Sequence, residues 1–134
     1  MGNRRRGINY ERQLVDLLHE RGYAAVRVAG SGAKPLPTPD IVACHKGNIL
    51  AIECKTTRKN QVYLSDAQVR DLCRYSDNAG ARPLIAVKFT HMEWYMMNPS
   101  KIPRTDGSVL VISRELAAKK GLTVTDIEPL TKRV

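Results

Sequence analysis

The chain has 134 residues, 43% of them hydrophobic, which suits a single domain with a real core spanning 1–134. Its 22 Lys and Arg against 13 Asp and Glu give a formal charge of +9 and a pI near 9.8, which favours a polyanionic partner, nucleic acid, over a merely soluble basic surface; a small-molecule substrate is not expected. No long uncharged apolar run could span a bilayer and no charged start leads into an apolar signal core, so neither a membrane role nor export is expected and the chain is read as cytoplasmic.

Arg4, Arg5 and Arg6 concentrate the positive charge at the start, and residues 1–7 read as a basic N-terminal arm with freedom to be flexible. INYERQLVDLLHERGY then places Leu14, Val15 and Leu18 on one helical face, with Arg12, Asp16 and Glu20 outside it and Gly22 as the stop. Glu11 falls on the apolar face. Its position leaves two readings: a carboxylate directed into the body of the protein, or a first-turn acid favoured by the positive helix end. AAVRV at 24–28 is a short strand, and GSGAKPLPTP at 30–39 is a loop too short to separate domains.

PDIVACHKGNILAIECK, residues 39–55, reads as a hairpin of two apolar strands turning at Gly47-Asn48. That turn sets Lys46 opposite Ile49, Val42 opposite Glu53 and Asp40 opposite Lys55. Asp40, Glu53 and Lys55 then share one face, with opposite Cβ atoms roughly 4.5–5.5 Å apart. Cys44 falls on the charged face and Cys54 on the other. With Cys73 they are an odd set at spacings foreign to common zinc patterns, read as reduced, core-type cysteines, with thiolate metal binding the weaker alternative.

SDAQVRDLCRYSDNAG at 65–80 opens with a Ser-x-x-Gln capping box and closes at Gly80, a helix with Val69, Leu72, Cys73 and Ser76 as its inner stripe. PLIAVKF is a core strand, EWYMMN and SVLVI are two more, and the tail from Ser113 holds a short helical stretch before LTVTDIEPL. The aromatic and Met residues at 94–97 are read as packing rather than as a base-stacking platform.

Two carboxylates and a lysine on one hairpin face are ordinarily a salt-bridge network. Here they sit in an otherwise apolar, central segment, where charge persists mainly when paired or bound to metal. Carboxylates suit Mg²⁺, a hard cation that keeps several waters, and an ammonium can hold an attacking water and offset charge on phosphoryl oxygens.

Pro39-Asp40 followed after twelve residues by Glu53-Cys54-Lys55 resembles the PD-(D/E)xK nuclease core. The order of the whole array, helix-borne Glu11, RVAGSG, PDIVA, AIECK and a capped helix, is similar to the archaeal type of Holliday-junction resolvase over nearly all of the chain. The resemblance implies an α/β, restriction-endonuclease-like fold, a mixed central β-sheet flanked by α-helices. It implies a structure-selective endonuclease that resolves four-way junction DNA with Mg²⁺, for which Mn²⁺ can substitute, leaving 5′-phosphate and 3′-hydroxyl ends. Glu11, Asp40 and Glu53 become metal ligands together with the backbone carbonyl of Cys54, whose thiol faces away. Lys55 assists the water, and Ser31 contributes to cleavage from a loop near the scissile phosphate. Arg4, Arg5, Arg6, Lys34, Arg58 and Lys59 are the candidate phosphate contacts. Resolution also implies a homodimer, with Phe89 and Trp94 available to its interface should the monomer expose them. The alternatives are another PD-(D/E)xK endonuclease, of restriction or mismatch type, and a DNA-binding module without chemistry.

Overall fold

A computed structural model of the chain describes residues 3–30, 36–104 and 109–127, the side chain of Asn3 excepted. In chain order the elements are α1 (Asn3–Glu20), β1 (Ala24–Arg27), β2 (Ile41–His45), β3 (Asn48–Thr57), β4 (Gln61–Ser65), α2 (Asp66–Ala79), β5 (Arg82–Phe89) and β6 (Trp94–Met97). A 3₁₀ turn (Pro99–Lys101), β7 (Val109–Ser113) and α3 (Arg114–Lys120) follow. A five-stranded sheet runs β1-β2-β3-β5-β6, and β4 pairs with β7 in a second, two-stranded sheet. β3 and β5 are parallel, and the other neighbours in the large sheet are antiparallel. A parallel pair needs a crossover, which β4 and α2 supply. This is the mixed sheet flanked by helices that the sequence led us to expect.

Both faces of the large sheet are covered. On one, Leu14 and Leu18 of α1 pack with Ile41, Ala43, Leu50, Ile52, Cys54 and Ala86. On the other, Val69 and Leu72 of α2, with Val62 and Leu64 of β4 and Leu110 and Ile112 of β7, pack on Ala51, Ile85 and Val87. Because strand residues alternate between faces, Cys54 belongs to the α1 side, whereas Glu53 and Lys55, laddered beside Ile85 and Val87, belong to the α2 side.

α1 begins five residues before the helix read from the sequence, so Arg4, Arg5 and Arg6 stand on its first turns instead of on a separate arm. Its end follows the expectation: Gly22 has φ +95°, and Tyr23 N–H donates to Leu18 O at 3.0 Å while Gly22 N–H donates to His19 O at 3.0 Å. In α2 the capping box forms as read, Ser65 Oγ accepting Gln68 N–H and Gln68 Oε1 accepting Ser65 N–H, with Gly80 left-handed beyond the last turn. Val69, Leu72 and Ser76 are buried, and Cys73 is only half-buried. Strand β4 escaped the sequence reading because its alternation, Val62 and Leu64 inward, runs directly into the cap at Ser65.

The position of the hairpin turn needs correction. The hairpin turns at Lys46-Gly47, with His45 opposite Asn48 and Ile41 opposite Ile52. Both turn residues have positive φ, +47° and +87°, the geometry of the tight hairpin turn that matches strand twist and prefers Gly in its second position. The slip is two residues, so every side chain keeps its face. Phe89 and Trp94 are 0% and 3% exposed, so the monomer already buries them and neither is available to a dimer interface. Met96 and Met97 are buried beside them, in keeping with a packing role.

Candidate functional site

The β2–β3 ladder ends at Ile41–Ile52, one residue short of Asp40. There Asp40 donates its N–H to Ile52 O at 2.9 Å, and its Oδ2 accepts the Cys54 N–H at 2.8 Å. The carboxylate thus takes a place that a strand carbonyl would otherwise fill, and β3 holds it rigidly. α1 supplies Glu11, half-buried one helical turn before buried Leu14, so its carboxylate does point inward as the first of its two readings required. One oxygen of Glu11, one of Asp40 and Sγ of Cys54 lie within 4.8 Å of one another.

The thiol was expected to face away from the charged cluster. It does lie on the sheet face opposite Glu53, but Glu11 arrives on that same face and Asp40 bridges to it. The site therefore straddles the sheet at the point where β2 begins: Glu11 and Cys54 on the α1 side, Glu53 and Lys55 on the α2 side, Asp40 between them.

Electrostatics binds these groups together. Burial, then the charge of Asp40, raises the Glu53 carboxyl from 4.5 to about 7; Lys55 lowers it, and Glu11 and Asp71 raise it further. Glu11 is raised by burial and by Asp40, against the pull of Arg27. Burial, with Asp40, Glu11 and Glu53, pushes the Cys54 thiol well above its usual range. Half-buried acids that repel one another have their charged forms favoured by a nearby divalent cation. The oxygen-rich donor set fits one.

Sequence reading missed two contributors. Arg27 Nη1 lies 3.6 Å from Glu11 Oε1; reading alternate residues from buried Ala25 would have put Arg27 on the inward face of β1. Asp71 belongs to α2, and only the packing of that helix on β3 brings its charge to Glu53.

The basic residues are less uniform. Arg4 and Arg5 line a groove along α1 with Ile8, Asn9 and Arg12. The start of this helix lies over β3, for a Cβ at Gly7 would stand 3.7 Å from Thr56 Oγ1. Arg58 and Lys59 are exposed in the turn that follows β3, where Lys59 N–H donates to Thr57 Oγ1 at 2.9 Å. Ser31 and Lys34 lie outside the described residues. Among the described residues, no helix is long and apolar enough to cross a membrane.

Comparison with known proteins follows the same lines. A family described as "Archaeal holliday junction resolvase (hjc)" matches residues 2–133. Crossover junction endodeoxyribonuclease Hjc of Archaeoglobus fulgidus is 36% identical over 122 residues, covering 87% of this chain and 90% of the relative. Crossover junction endodeoxyribonuclease Hje of Saccharolobus solfataricus is 41% identical over 102 residues, covering 74% and 76%. The solved structure of the Archaeoglobus fulgidus Hjc, described as a Holliday junction resolvase from an archaeal hyperthermophile, superposes with a TM-score of 0.79 at 35% identity, over 86% of this chain and 92% of that one.

Proposed function

The chain belongs to the archaeal Holliday junction resolvase family, and we propose from that premise that it is a metal-dependent crossover junction endodeoxyribonuclease acting on four-way DNA junctions through the straddling acidic site. The observation that carries the assignment of residues is the convergence of Glu11 and Asp40 at the start of β2, beside Glu53 and Lys55.

Glu11, Asp40, Glu53 and the backbone carbonyl of Cys54 would hold Mg²⁺. When bound, the ion supplies Lewis acidity to the scissile phosphate and favours ionisation of a water. Lys55 donates hydrogen bonds to the attacking water and to a phosphoryl oxygen, offsetting the charge that builds there. The water oxygen forms the new bond to phosphorus, the bond from phosphorus to the 3′-oxygen breaks, and 5′-phosphate and 3′-hydroxyl ends result. Arg27, 3.6 Å from Glu11 Oε1, opposes the burial and the Asp40 charge that raise the Glu11 carboxyl. A synthetic four-way junction assayed beside a linear duplex, each with Mg²⁺ or chelator, tests the assignment: only the junction with Mg²⁺ should be cut. Equal cleavage of the duplex would favour a restriction- or mismatch-type nuclease, and cleavage in chelator would remove the metal.

Arg4, Arg5, Arg6, Lys34, Arg58 and Lys59 are assigned to phosphates and Ser31 to cleavage, Ser31 and Lys34 lying outside the described residues. Removing Arg4, Arg5 and Arg6 together should reduce the slope of log K against log salt by up to about 0.9 per lost duplex phosphate contact. An unchanged slope in a filter-binding series would make these arginines bystanders.

A homodimer completes the reading. The sequence holds a single Asp-to-Glu-x-Lys array, whereas resolving a junction takes cuts on two strands of like polarity, and a two-fold dimer sets two sites in the matching arrangement. Sedimentation at micromolar concentration should give a dimer, and a supercoiled cruciform should be linearised by paired cuts. A protein that stays monomeric on the junction and only nicks it would be a structure-specific nickase.

A further inference from the structure

Cys54 is 8% exposed. Among the described residues its Sγ makes neither a disulfide nor a hydrogen bond. Like Leu50 and Ile52 on the same strand face, Cys54 packs in the apolar core, yet its sulfur also lies within 4.8 Å of an oxygen of Glu11 and of Asp40. A hard cation has no use for sulfur, and the carbonyl of Cys54 would serve it equally well with an aliphatic side chain at this position. A borderline or soft cation does use it. Two carboxylates and a thiolate, with a fourth position left to water, form a three-ligand zinc set. Zn–S of about 2.3 Å and Zn–O of about 2.0–2.2 Å place such donors roughly 3.5 Å apart, so rotamer adjustments of about 1 Å close the set.

We propose that Glu11, Asp40 and Cys54 form a site for a thiophilic divalent cation, Zn²⁺ or Cd²⁺, whose occupancy excludes the hard cation used in cleavage. On binding, the S–H bond breaks heterolytically, its proton passes to water and the sulfur lone pair forms the bond to the metal, with no change of oxidation state. The proposal rests on the reading of Glu11 and Asp40 as metal ligands, but the two can fail separately.

The test uses the full-length chain carrying Cys44→Ser and Cys73→Ser, titrated with Cd²⁺ and followed by the ultraviolet thiolate-to-cadmium charge-transfer band. The expected result is a band that saturates at a single ion per chain, vanishes on adding Cys54→Val and forms with affinity weakened about tenfold or more by Glu11→Gln or Asp40→Asn. No band in the parent, a band that survives Cys54→Val, or unchanged affinity in both carboxylate variants overturns the site. Should Cys54→Val fail to fold, the two carboxylate variants decide the matter alone. Junction cleavage with Mg²⁺ is run beside the titration. Cleavage lost in Asp40→Asn with no cadmium band in the parent removes this inference and leaves the assigned function standing. Cleavage retained in Asp40→Asn removes the catalytic reading of Asp40, and the site then stands or falls on the titration alone.

Discussion

Asp40→Asn and Lys55→Ala are each expected to lower single-turnover cleavage of a four-way junction by about 10²- to 10³-fold or more, the scale of removing one preorganised electrostatic group from a reacting centre. Junction affinity should stay largely intact in both, because phosphate contacts dominate affinity. The asparagine keeps the shape of Asp40 and can still accept the Cys54 N–H, so the loss would reflect charge and not a collapsed strand end. Lys55 lies on the α2 side of β3, laddered beside Val87, and its removal leaves the α1 side undisturbed. Glu11→Gln should lose cleavage likewise without melting lower. A Glu11→Gln protein that cuts normally but melts lower would reduce Glu11 to a structural partner of Arg27, and a Lys55→Ala protein that cuts at the parent rate would end the catalytic assignment.

Glu53→Gln should be inactive and yet more stable than the parent above neutral pH in the absence of metal. Burial and the charge of Asp40 push the folded-state carboxyl up to about 7, against 4.5 for a solvated glutamate. Below pH 4.5 it is protonated in folded and unfolded chains alike, and above 7 it is ionised in both. Between those values the folded chain holds more protons, so its stability falls as pH rises through the window and stays lowered beyond it. The shift corresponds to a cost on the order of 3 kcal/mol, which glutamine, a neutral mimic of the protonated acid, avoids. Urea unfolding at pH 8 should therefore show the variant more stable than the parent, with the gap closing near pH 4. Added Mg²⁺ should raise the melting temperature of the parent and not that of the variant. Cleavage by the parent should weaken as pH falls below 7 and protons compete for the same carboxylate. A variant no more stable than the parent at pH 8 would mean that burial does not burden Glu53 with its charge.

The amino-acid order by itself determined most elements and the faces of the central hairpin. Gly22, the Ser65–Gln68 box and Gly80 are local signals, each satisfied within a turn of its own helix, so they could be read without knowing the fold. Period-two alternation likewise survives a two-residue register slip, which is why Asp40, Glu53 and Lys55 could be grouped although the turn was misplaced. Tertiary structure alone decided how that group is completed. α1 brings Glu11, and β1 brings Arg27, to the face that carries Cys54; α2 brings Asp71 to the face that carries Glu53. No local pattern encodes these meetings, because they depend on which helix covers which side of the sheet. The same packing closed over Phe89 and Trp94, and it turned Cys54 from an anonymous core residue into a neighbour of two carboxylates. Alternation says which side of a strand a residue takes; only the assembled layers say what waits there.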